Sequence, residues 1–170
     1  MKAAALFLLL SSIALAQAAP PGKIPSGALT IQLRASSARV KMNDEMKVSV
    51  FFRSPGTVTI WNALWWGGST GLELEIFDSS GRQQKHAVAP SEPIPPDLTG
   101  KDALISVRGN VFAGFDSQFI ARELFTSPGR YTMKCLYTPP LPREYFGGRT
   151  IWGREDGQIE SKPISIFVDK

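Results

Sequence analysis

The chain has 170 residues, 43% of them hydrophobic and 20% charged, with a formal net charge of +4. That length suits one domain and leaves no room for a second, and the interleaving of Lys and Arg with Asp and Glu excludes the clustered basic footprint of a nucleic-acid binder. Cys135 is the only cysteine, which excludes an intramolecular disulfide and leaves stability to an apolar core.

Met1-Lys2 is a short positive start, Ala3 to Leu15 is apolar apart from Ser11 and Ser12, and Ala14-Leu15-Ala16 or Ala16-Gln17-Ala18 offers the small-x-small pattern that a signal peptidase cuts. The run is shorter than the roughly 20 residues a membrane-spanning helix requires, and Pro20-Pro21-Gly22 follows it at once. Residues 1–18 are therefore expected to be a cleavable signal peptide, 19–27 a flexible lead-in, and 28–170 an exported domain, periplasmic or extracellular, with no stable membrane insertion after cleavage. No cysteine stands at the cleavage site to take a lipid anchor.

Beyond the lead-in, period-2 alternation recurs. Leu29, Ile31 and Leu33 alternate with polar residues, as do Met46, Val48, Val50 and Phe52. Ser54-Pro55-Gly56 is a turn, and Val58 and Ile60 open a strand running to Trp61. Leu72, Leu74 and Ile76 alternate with Glu73 and Glu75, and Asp78-Ser79-Ser80-Gly81 predicts a hairpin returning through Arg82 to Val88. Residues 90–100 carry four prolines and read as a crossing loop. Ala103 to Val107 is a weaker strand, and Gln118 to Phe125 fits a helical turn and a strand equally. Tyr131 to Tyr137 and Ile164 to Val168 are the closing strands. About seven or eight short strands without a helix of three turns predict a single all-β antiparallel sandwich.

Pro128-Gly129-Arg130-Tyr131 ahead of an alternating stretch resembles the corner before the penultimate strand of immunoglobulin-like and fibronectin-III-like domains, where a tyrosine hydrogen-bonds nearby backbone. The layout from Ala28 to Val168, with its Asp78-x-x-Gly81 hairpin, is similar to that of small immunoglobulin-like domains of exported bacterial proteins, a group that includes a Bacillus-type proteinase inhibitor. The resemblance implies an immunoglobulin-like sandwich, while the single cysteine excludes an antibody-type core.

Signals for catalysis, metals and cofactors are thin. His86 is the only histidine and lies in the polar run Arg82 to His86; no Gly-x-Ser-x-Gly elbow is present, and one His and one Cys give no zinc spacing. Asp78, Glu155 and Asp156 sit in loops without a calcium-loop pattern. Glu73 and Glu75 share a strand face as a glycosidase pair would, but their solvent-face register reads as a solvated edge and nominates no general acid. The domain is expected to be a non-catalytic binding module without a cofactor.

The aromatics point to binding. Trp61, Trp65 and Trp66 cluster before Gly67-Gly68, and Tyr145, Phe146 and Trp152 lie in the long segment from Thr138 to Ser161, stiffened at its start by Pro139, Pro140 and Pro142. Flat rings beside glycines suit stacking on a ligand, and equally suit capping the open ends of a sandwich. The nominated binding residues are Trp65, Trp66, Arg143, Tyr145, Phe146 and Trp152. Loop 138–160 presenting Arg143, Tyr145 and Phe146 favours a protein partner, with a proteinase-inhibitor version as a special case; a coplanar platform of Trp65, Trp66 or Trp152 favours a cell-envelope glycan.

Overall fold

Residues 28–61, 71–84, 104–109, 113–139, 142–143 and 151–170 are described by the computed structural model. The first alternating stretch forms β1 (Thr30–Ala35), with Ile31 and Leu33 buried and Thr30, Gln32 and the Arg34 side uncovered. β2 (Arg39–Lys41) turns only Val40 inward, and β3 (Glu45–Arg53) buries Met46, Val48, Val50 and Phe52. β4 (Thr57–Trp61) and β5 (Gly71–Asp78) follow, then β6 (Leu104–Arg108) and β7 (Ala113–Ile120). A single helical turn, α1 (Ala121–Leu124), leads to β8 (Gly129–Thr138), and β9 (Ile159–Glu160) and β10 (Ile164–Asp169) end the chain.

The fold is all-β, with strands paired almost throughout in antiparallel ladders. One sheet has the order β1-β3-β7 and another the order β2-β10-β8-β5, with β9 also on β8; β2 joins β10 in parallel. Inward-facing residues of both sheets meet in one apolar cluster that includes Val48, Val50, Leu74, Met133 and Ile166. Phe52 of the first sheet meets Tyr137 of the second edge to face, with ring centres 5.1 Å apart.

β4 and β6 pair separately, yet they continue the β3–β7 ladder. Moving on from Phe52↔Ala113 by the same number of residues on each strand reaches Thr57↔Arg108, so the register crosses the Ser54–Gly56 turn unchanged. A break that keeps register preserves which face each side chain takes, and Val58, Ile60 and Val107 accordingly stay buried.

The expected strands that fall on described residues are present, apart from the hairpin return from Arg82, and the ten strands named among the described residues exceed the seven or eight of the sequence pattern for physical reasons. β2 and β9 are too short to show a period, and the polar residues Asp116, Ser117 and Gln118 mask β7. Gln118 to Phe125 proves to be both candidates in succession: strand to Ile120, then a turn of helix whose Ala121 and Arg122 amides bond Asp44 and Met42 carbonyls at 3.0 and 2.9 Å. The Asp78–Gly81 turn forms, with Gly81 at φ 78°, where a side chain is disfavoured, and Gln83 bridging back to Phe77. The expected signal peptide, lead-in and return strand beyond Gln84 fall on residues outside the described ones.

Candidate binding segment

After β8 the chain leaves the sheet at Thr138 and comes back twice. Ile151 forms a parallel bridge with Thr59 of β4, and the Trp152 amide donates to the Thr59 carbonyl at 2.8 Å. Ile159 and Glu160 then pair with Tyr137 and Leu136. Next, the Ser161 amide bonds the Cys135 carbonyl, and the Ser161 hydroxyl accepts from the Cys135 amide, both at 2.9 Å. A side-chain oxygen thus serves the ladder just before Pro163, which has no amide hydrogen to give. Lys162 and Pro163 stand opposite Lys134 alone, a bulge between β9 and β10.

Between those returns lies a compact polar junction. Arg154–Asp156 is one turn of 3-10 helix, and it swings the Asp156 carboxylate inward, where it accepts from the Gly153 amide at 2.9 Å and pairs with the Arg143 guanidinium. The Asp156 side chain is 0% exposed and that of Arg143 11%. The Arg143 amide donates to Glu155 at 3.1 Å; bonds to the Glu155 carboxylate from its own amide and from that of Arg143 hold its pKa below the usual range. Gly153 is required by contact, since a Cβ there would lie 2.7 Å from the Arg143 nitrogen. The Trp152 indole donates to the Gly157 carbonyl at 3.0 Å, and Gln158 bonds Thr138 across the neck of the segment, also at 3.0 Å.

This geometry corrects two expectations. Trp152 is 3% exposed and belongs to the core cluster, so its ring has no free face for a sugar. Arg143 folds onto Asp156 and is not presented to a partner. The glycine beside each contact lets the chain close on itself, which the sequence pattern had left open between stacking and packing. Trp61 is buried as well, its amide bonded to the Tyr137 hydroxyl at 3.2 Å. Trp65, Trp66, Tyr145 and Phe146 lie outside the described residues, as does His86. The junction fixes Arg143 and the bridge to Thr59 fixes Ile151, the two flanks of residues 144–150.

The other candidates have structural roles. Glu75 lies across from Lys134, and the ammonium bridges Glu75 at 2.9 Å and Glu160 at 3.0 Å; those two bonds raise the lysine pKa. Glu73 is exposed. Cys135 is fully buried, and burial pushes its thiol well above the usual range, which leaves it unreactive. Among the described residues no group of three His, Cys, Asp or Glu is placed to hold a metal ion, and no helix is long and apolar enough to cross a membrane. The junction's own signal was Asp156 and Gly153 beside Trp152, but an Arg-Glu-Asp run reads as solvated charge.

No family model matches the sequence, and no curated protein does. Among solved structures the chain is similar to the sporulation control protein Spo0M from Bacillus subtilis, at 11% identity and a TM-score of 0.42, over 85% of this chain and 50% of that one. It is also similar to the β-glucosidase EmGH1 from Erythrobacter marinus, at 12% identity and a TM-score of 0.38, over 83% of this chain and 15% of that one. The chain thus spans half the length of the first and a small part of the second, and likenesses at these scores carry no argument about activity.

Proposed function

We propose that this chain is an exported, non-catalytic immunoglobulin-like β-sandwich that binds a protein partner through residues 144–150, whose flanks Arg143 and Ile151 are pinned. The observation that carries the reading is the pinning of both flanks, Arg143 by Gly153 and Asp156 and Ile151 by its bridge to Thr59. A recognition loop with fixed ends loses less conformational freedom on binding than one that is free throughout. Tyr145 and Phe146 supply the large rings that such contacts favour.

Strand order supports the immunoglobulin-like assignment: β1-β3-β7 corresponds to strands A, B and E, and β10-β8-β5 to G, F and C. Tyr131, at the start of the F-like strand, bonds the Ser127 carbonyl at 2.7 Å in the manner of a tyrosine corner. The Met1 to Ala18 pattern supports export. Burial of Trp152 takes one ring from the glycan platform and so favours the protein partner.

A photo-crosslinking residue placed at 145 or 146 in producing cells should give a discrete protein adduct that the same residue at exposed Glu123 does not. The protein recovered should lack Met1 to Ala16 by mass. Equal adducts at all three positions would overturn the reading. So would a loss of several kcal/mol on changing Tyr145 and Phe146 to Ala, because truncating a buried aromatic costs roughly 3–5 kcal/mol and an exposed one far less.

A further inference from the structure

β1 closes one side of its sheet. It pairs with β3 along one edge, and among the described residues no ladder forms along the other. Beside that edge runs a groove of about 430 Å3, walled opposite by Lys162 and Ile164, where the β9–β10 bulge passes into β10. Ile31 and Leu33 line it as well, although they are only 6% and 2% exposed. With side chains committed to the core, what they offer the groove is chiefly backbone N–H and C=O. A groove beside a strand edge that carries no ladder among the described residues has the shape of another strand.

Charge narrows the occupant. The lining includes Arg53 and Lys162 and no carboxylate. Arg34 adds a third cation, its guanidinium 5.1 Å from the centre of the Phe51 ring, which also lines the groove. Asp116 is engaged by Lys47 and Glu160 by Lys134, each at 3.0 Å. A second copy of this chain would set Arg34 and Lys162 against like charges, which disfavours self-pairing.

We infer that the outer edge of β1 takes up an extended acidic peptide from another protein as an added strand. Its backbone continues the sheet, and its carboxylates reach Arg34, Arg53 and Lys162. Arg53 lies across from Thr30, and Arg34 is four residue steps along the strand from Thr30, about 13 Å. Side chains at i and i+4 of an added strand share a face, so an alternating acidic sequence meets both arginines. This surface is separate from residues 144–150 and stands or falls without them.

The probe is a fluorescein-labelled peptide of about eight residues alternating Glu with Val or Thr, a usual strand length, together with its Lys-for-Glu counterpart. Anisotropy titrations into the full chain should show saturable binding of the acidic peptide alone, weakened by added salt. Amide exchange should slow within Thr30–Ala35 on binding and stay unchanged in β5. Arg34→Glu combined with Lys162→Glu should weaken binding ~10-fold or more, since attraction becomes repulsion at two exposed sites. If that pair lowers the melting midpoint, Lys162→Glu alone, an exposed change in the bulge, should still weaken binding severalfold. Equal binding of the Lys peptide, unchanged exchange in β1, or full affinity in the folded variants would overturn the inference. A dimer whose β1 amides are already protected without peptide would assign the edge to a second copy and overturn it as well.

Discussion

The two ends of β8 are held differently. At its start, the Tyr131 hydroxyl donates to the Ser127 carbonyl four residues back at 2.7 Å, and its ring packs on Phe125 with centres 4.8 Å apart. Beside that corner, Asp78 gathers Ser80, Arg82 and Gln84, and Gln84 accepts from Thr126 at 2.6 Å, tying the hairpin turn to the corner. At its far end, β8 is held by chain that has travelled away and returned: Trp152 on β4, Asp156 on Arg143, Ser161 on Cys135. One anchor centres on a corner closed within four residues and a turn tied to it by a single bond, the other on chain that leaves the sheet and returns to it. The difference teaches that a long excursion in a small sandwich can act as an internal clamp.

The sharpest way to break that contrast is to remove the buried ring. Trp152→Ala should cost about 3–5 kcal/mol in denaturant melts, the usual range for an aromatic lost from a core. Trp152→Phe should cost much less, because it keeps most of the packing and gives up mainly the bond to Gly157. A loss below about 1 kcal/mol in the Ala variant would mean that the excursion is not a clamp.

Next in size is the ion pair inside it. Arg143→Ala leaves the Asp156 carboxylate buried without its cation, which should cost about 3 kcal/mol. Adding Asp156→Asn should recover part of that loss, because a neutral amide can still accept from the Gly153 amide. A double variant no better than Arg143→Ala would show that the charge itself is not what the pairing offsets.

The same contrast explains what the sequence revealed. Period-2 alternation exposed β1, β3, β5, β8 and β10, because each turns one face to a shared core, and the Tyr131 corner was legible because its parts adjoin. The unbroken register from β3–β7 into β4–β6 was hidden, since it depends on two strands more than forty residues apart. The junction was hidden for a different reason: its partners are only 13 residues apart, but Arg143 and Asp156 each look like surface charge until Gly153 brings the two segments together. Trp152 beside glycine fitted stacking and packing alike, and only the bridge of Ile151 to Thr59 decides between them.

At the corner end the expected effect is smaller. Tyr131→Phe keeps the ring on Phe125 and removes only the hydroxyl, so it should cost about 1–2 kcal/mol. A cost as large as that of Trp152→Ala would erase the contrast between the two ends.

The smallest effect is a dependence on acid at the Asp78 turn. Its carboxylate is held down to about 2, first by the Ser80 hydroxyl and then by the Arg82 amide and guanidinium, against an unfolded value of about 4. A carboxyl whose folded pKa lies below its unfolded one contributes stability that is complete above about pH 4 and is lost as the pH falls through about 2. Carbon-detected NMR should therefore find the Asp78 carboxyl titrating near 2, with the Ser80 and Arg82 amides exchanging faster across that window. In Asp78→Asn the acid dependence between about pH 4 and pH 2 should be shallower, because its side chain has no proton to take up there. An Asp78 carboxyl titrating near 4 would mean that the turn is not gathered around it in solution, and the start of β8 would then depend on Tyr131 without support from the hairpin.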